Sequence, residues 1–150
     1  MRIFDVMTNG VRTISPAARA VAAREAMRLH GIHHLVVTDK SDVVGVISAR
    51  DLGRPGSTRE REASVADVMS RPAVTIDREA PVRKAANLMR GRFIGCLVVL
   101  DGRRPIGVVT VSDLLEVIGK GGVPLARSGR RASLHYRVPH RKQHRSGGSW

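Results

Sequence analysis

Apolar positions along this 150-residue chain change their spacing in a fixed order, and then do so again. Between residues 19 and 30, Ala20, Ala23, Ala26 and Met27 recur three or four positions apart, the spacing of one helical face. Two Val-rich runs come next at 34–38 and 43–48, parted by Asp39 and polar neighbours, and read as strands joined by a turn. The succession returns with Val82, Ala85, Ala86 and Met89 in a helix over 81–91, then strands at 96–100 and 105–110. Before each helix lies a short extended segment, 11–14 or 73–76, and before that an apolar lead-in, 2–8 or 64–70. Ser64 is placed to cap a short helix starting at Val65, and Pro81 suits a first helical turn. Gly31 and Gly91 are expected helix stops. A further helix is expected after each strand pair, at 49–53 and 111–118, with residues 53–59 as a polar linker.

The two halves are copies. Asp5-Val6-Met7, Thr13-Ile14, Met27-Arg28, Leu35-Val36-Val37, Gly45-Val46 and Asp51-Leu52 each recur 62 positions later without a gap. Between 5–52 and 67–114, 18 of 48 positions are identical. A constant offset of this kind marks two copies of one supersecondary unit, each burying what the other cannot. The expected fold class is α/β (α+β): two strand–helix–strand–strand–helix units with a β-rich interior and helices on one side. The units are assigned to 1–58 and 59–119, with 120–150 as a separate segment.

Composition changes this picture in two ways. Aromatic residues make up only 3% of the chain, so the core must be built from Val, Ile, Leu, Met and Ala. The net charge of +13 is uneven: residues 117–150 carry eight Lys/Arg and no acid, so a basic, disordered tail is expected beyond a mildly basic body. No apolar run is long enough to span a membrane. The opening residues reach Asp5 before any apolar stretch develops, so a signal peptide is not expected and a cytoplasmic setting is. Cys96 is the single cysteine and has no internal disulfide partner.

The sharpest repeated string is Gly45-Val46-Ile47-Ser48-Ala49-Arg50-Asp51-Leu52 and its copy Gly107-Val108-Val109-Thr110-Val111-Ser112-Asp113-Leu114. In each, a strand ends at a hydroxyl residue with an acid three positions on. One reading is a helix cap, in which hydroxyl and acid satisfy free N–H groups at a helix start. The other is a ligand site. The junction presents N–H groups and a hydroxyl to a phosphate, and the carboxylate accepts from the paired hydroxyls of a ribose. Arg50 adds positive charge to the first copy, and Ser112 adds none to the second.

This string, the Asp-Val-Met lead-ins, and Ile32-His33-His34-Leu35-Val36-Val37 with its counterpart Ile94-Gly95-Cys96-Leu97-Val98-Val99 together resemble a tandem pair of CBS domains. The resemblance covers residues 1–119. It implies two βαββα units packed through their sheets about a pseudo-two-fold axis, with two clefts between them and pairing into a homodimer. It implies a regulatory module that binds an adenosine ligand and signals by conformational or dimer change. The ligand would be AMP, ADP, ATP, NAD or S-adenosylmethionine, and no cofactor is required. Carried onto this chain, Ser48, Arg50 and Asp51 serve one cleft and Thr110 and Asp113 the other. Thr13 and Thr75 lie near base and ribose, and Ile32, His34, Ile94 and Cys96 line the base slots. Where many members have Pro before the paired valines, this chain has Val36 and Val98.

Other constellations point away from chemistry. His30, His33 and His34 straddle Gly31 and lack an accompanying Cys or carboxylate cluster, so no metal site is expected. No Gly-x-Ser-x-Gly nucleophile elbow is present, and no catalytic residue is assigned. In the tail, Arg127, Arg130, Arg131, Arg137, Arg141, Lys142 and Arg145, with Tyr136 and Trp150 as stacking groups, are positioned to meet a nucleic acid or another polyanion. Two further readings therefore stand beside ligand sensing: an interaction protein with empty clefts, and a nucleic-acid-associated protein acting through its tail.

Overall fold

The computed structural model describes residues 1–121. The seven basic residues named for polyanion contact, with Tyr136 and Trp150, lie outside the described residues. The first repeat holds α1 (Ile3–Val6), β1 (Thr8–Asn9), β2 (Thr13–Ile14), α2 (Ala20–His30), β3 (His34–Asp39) and β4 (Asp42–Ser48). Then come α3 (Thr58–Glu62), α4 (Val65–Val68), β5 (Thr75–Asp77), α5 (Val82–Arg92), β6 (Cys96–Asp101), β7 (Arg104–Thr110) and α6 (Val111–Gly119).

The long helices form where the apolar spacing places them, and they bury Ala20, Ala23 and Met27 of α2 and Ala85 and Met89 of α5. Gly31 ends α2 in the left-handed conformation, φ 62°, as its position implies. Gly91 does not end α5. The helix runs through it and leaves at Phe93, φ 54°, whose N–H still reaches the Met89 carbonyl. The helix expected at 49–53 does not form. Residues 49–52 make turns, Gly53 takes φ 71°, and Pro55 lies two residues on, so no helix can propagate. The helical turn appears later, as α3, with the Ser57 hydroxyl accepting from the Glu60 N–H.

Two sheets result, one ordered β2-β3-β4 and the other β1-β7-β6-β5. Neighbouring side chains alternate between two buried faces. Leu35, Val37 and Ile47 of the first sheet pack with α2 and α4. Leu97, Val99 and Val109 of the second pack with α1, α5 and α6. On the opposite faces, Val36 and Val46 meet Cys96 and Val98. Burial on both faces is why the strands read as unbroken apolar runs. Each fully buried Val, Leu or Ile contributes about 1.5–3 kcal/mol.

The lead-ins are exchanged between the units. The α1 residues Ile3 and Val6 complete the helix-side core of the second sheet, and β1 pairs with β7. Val65 and Val68 of α4 complete the core of the first, where Ser70 bridges Val46 through backbone hydrogen bonds of 3.0 and 2.9 Å. The anchoring bonds are themselves a repeat pair: the Ile3 N–H donates to the Ala80 carbonyl at 2.9 Å, and the Val65 N–H to the Ala18 carbonyl at 2.8 Å. The N-terminal copy has an extra tie, because the Arg78 guanidinium lies 4.0 Å from the Phe4 ring centroid.

Candidate functional site

Pairing fixes which side chains share a face. Thr13 is the parallel partner of Val36, and Val36 and Val46 are antiparallel partners. His34 lies opposite Ser48, two residues along. Thr13, His34 and Ser48 therefore share the face of the first sheet that meets the second sheet. The same argument puts Thr75, Cys96 and Thr110 together on the facing side of the second sheet, through the pairs Thr75–Val98, Val98–Val108 and Cys96–Thr110. Each group ends an apolar row. Thr13 and Thr75 are exposed, while His34, Ser48 and Thr110 are half-buried.

Ile32 and Ile94 part from these groups. Their side chains pack against the helix-side clusters, because each N–H closes the end of the preceding helix, at 2.9 Å to Met27 and 3.1 Å to Met89. Backbone next to each is committed as well: the His33 carbonyl accepts from Ala49 and the Gly95 carbonyl from Val111.

The hydroxyl–carboxylate pairs close in both copies. Asp51 Oδ2 accepts from the Ser48 N–H at 2.7 Å and from its hydroxyl at 3.0 Å, while the Asp51 N–H donates to Ser48 Oγ at 3.4 Å. The matching distances for Asp113 and Thr110 are 2.8, 3.1 and 3.3 Å. Asp thus takes the reciprocal part usually played by Glu or Gln, as it does again between Ser64 and Asp67. The copies differ in the backbone beyond the pair. Thr110 caps the nine-residue helix α6, whereas Ser48 leads only into turns. A cap accounts for the second pair but leaves the first without a helix to cap.

Electrostatics track the same placement. Burial lowers the His34 pKa, with the charges of His33 and Arg50 in the same direction and Asp51 opposing. Burial pushes the Cys96 thiol up to about 12, and the Asp113 charge adds to it. Arg50 is exposed. The first group thus combines hydroxyl, carboxylate, imidazole and guanidinium, suited to a sugar hydroxyl pair and an anion. The second has hydroxyl and carboxylate beside a buried thiol. Among the described residues, no cluster of His, Cys, Asp or Glu is arranged to hold a metal ion, and no helix is long and apolar enough to cross a membrane.

Two features escape sequence reasoning. Glu60 is 5% exposed, pairs with Arg24 at 2.9 Å and accepts from the Gly56 N–H at 2.7 Å. Arg24 also donates to the Gly53 carbonyl at 2.6 Å. This clamp holds the loop after Asp51 against α2, and position 86, the counterpart of Arg24, is Ala. The second feature is the motif glycines. A Cβ on Gly45 would lie 2.7 Å from the Ser70 carbonyl oxygen, and one on Gly107 would collide with that of Thr8. Their recurrence at the 62-residue offset is the sequence signal, but it does not show that an exchanged lead-in crosses there.

A family model for the CBS domain matches the chain twice, over residues 3–54 and 65–120. A protein of Methanopyrus kandleri is 34% identical over 120 residues, covering 77% of this chain and 61% of its own length. A CBS domain-containing protein of Dictyostelium discoideum is 33% identical over 132 residues, covering 79% of this chain and 91% of its own. Among solved structures, the CBS domain pair of protein MJ0100, in complex with 5′-methylthioadenosine and S-adenosyl-L-methionine, superposes with a TM-score of 0.73 at 24% identity. That match covers 81% of this chain and 98% of the other.

Proposed function

Because the chain belongs to the CBS domain family and carries the domain twice, we propose that it is a regulatory module that binds an adenosine-containing ligand between its two units. The units are taken as 1–58 and 59–119. The observation that carries the reading is the Ser48–Asp51 pair, fully formed yet capping no helix, with Ser48 on the same inter-sheet face as His34 and Thr13. The MJ0100 domain pair supports the ligand class through the two adenosine compounds in its complex. Ligand binding can shift the packing of the two sheets only if it favours one arrangement over another. Pairing of two copies is part of the proposal, and Leu115 and Ile118, 61% and 72% exposed on α6, offer an apolar surface for it. In this reading the module is regulatory, and its carboxylates hold ligand hydroxyls.

A thermal-shift panel of AMP, ADP, ATP, NAD, S-adenosylmethionine and 5′-methylthioadenosine on ligand-free protein tests it. A ligand at about 100 times its Kd adds about 2.7 kcal/mol, which is a rise of about 5–10 °C. Asp51→Ala is expected to remove the rise for a ligand of the first cleft while the protein stays folded. No rise with any of the six would leave the clefts as packing features only.

A further inference from the structure

The two inter-sheet residue groups differ in charge at two matched positions. Arg50 corresponds to Ser112, and His34 to Cys96. His34 stands half-buried opposite Ser48, on the face that meets the other sheet. Cys96 stands opposite Thr110 and is closed into the valine cluster between the sheets. The charged groups acting on His34 are His33 beside it, with Arg50 and Asp51 from the turn after β4. The neighbouring β2 brings Thr13, with Arg12 next to it in sequence. Burial, with His33 and Arg50, favours the neutral imidazole, and Asp51 opposes. An anion arriving beside Arg50 reverses that local field and favours the imidazolium. Cys96 remains a neutral thiol across the physiological range.

Resting on the ligand-sensing reading above, we propose that the two clefts sort adenosine ligands by charge. The first takes a phosphorylated ligand, with Arg50 and a protonated His34 as its anion contacts, and the second takes one without phosphate. Binding in the first cleft takes up a proton and tightens as pH falls from 8 to 6. Binding in the second does not respond to pH in this range.

Isothermal titration calorimetry with AMP and with 5′-methylthioadenosine at pH 6, 7 and 8 tests this on native protein, Asp51→Ala, Asp113→Ala, His34→Cys and the double variant His34→Cys/Arg50→Ser. The double variant gives the first cleft the residues that the second unit already carries at the same strand positions. AMP binding is expected to be lost in Asp51→Ala and kept in Asp113→Ala, with the reverse for 5′-methylthioadenosine. The double variant is expected to lose AMP, and relative to His34→Cys, which keeps Arg50 and so meets the same ionisation of the AMP phosphate, native protein is expected to gain several-fold in AMP affinity from pH 8 to pH 6. Histidine NMR titration of native protein gives an independent measure, with the His34 pKa rising on AMP addition. Equal pH profiles in native protein and His34→Cys, undiminished AMP binding in the double variant, an unmoved His34, or loss of AMP binding in Asp113→Ala would each overturn the charge sorting while leaving a ligand-binding module in place. Absence of heat from both ligands would overturn the cleft reading itself, and the sorting with it.

Discussion

At Gly107 an added methyl group has nowhere to go, because the Thr8 carbonyl occupies its place. Gly107→Ala is therefore expected to cost about 1–3 kcal/mol, and Gly45→Ala less, because its Cβ has 2.7 Å to the nearest oxygen. Urea unfolding of both variants checks the order. The hydroxyl residues divide in the same way. Thr110→Ala removes a working helix cap and is expected to lose about 1 kcal/mol. Ser48 caps no helix, so Ser48→Ala is expected to change stability less and first-cleft affinity more. Equal stability losses in the two variants would count against a ligand role for Ser48. Cys96, with its thiol pushed to about 12, is expected to resist thiol reagents at pH 8 until the protein is unfolded in denaturant. The sequence identified all these positions through the 62-residue repeat. It could not tell a glycine shared by the two copies for a ligand from one kept for a crossing backbone, because the crossing segment lies far away along the chain.

Among the elements, the repeats diverge most after the motif. One has α6, and the other has turns and the loop held by Arg24 and Glu60. Burial alone would push the Glu60 carboxyl up, but the Gly56 N–H and the Arg24 guanidinium outweigh it and hold its pKa below the ordinary 4.5. The stability from this carboxylate is present above the unfolded-state value and is lost as pH falls through the lower folded-state value. Glu60→Gln is thus expected to melt below native protein at pH 7, with the gap closing below about pH 4.5 in melting curves recorded from pH 3 to 7. A gap that stayed constant would show that the charge is not what holds the loop. Helices α2 and α5 and the four long strands were legible from apolar spacing, because each buries a regular face. The clamp was not, since its partners are 36 residues apart and neither lies in a repeated string. The expected helix at 49–53 does not form because Gly53 and Pro55 stop propagation beyond the Ser48–Asp51 turn.

For the whole molecule, the layers arise from strands buried on both faces, and the sequence shows this as apolar runs without alternation. The exchanged lead-ins could not be read, because the repeat places each lead-in beside its own unit and only the packing reveals the swap. Deleting residues 1–9 is expected to leave amide protection in β3 and β4 largely intact and to speed exchange in β6 and β7, where β1 is lost. Hydrogen exchange read by mass spectrometry distinguishes this from a loss confined to the first unit.

That exchange also sets a timetable for the ribosome. The first sheet can acquire its α4 cover once residue 70 has emerged, whereas Thr8 must wait for Val108, 100 residues later. Throughout that interval Ile3, Val6 and Met7 are apolar groups without their seat. A slow or interrupted synthesis of the second repeat therefore leaves a nascent chain whose first sheet has its helix-side cover, while its inter-sheet face and its opening segment are still exposed.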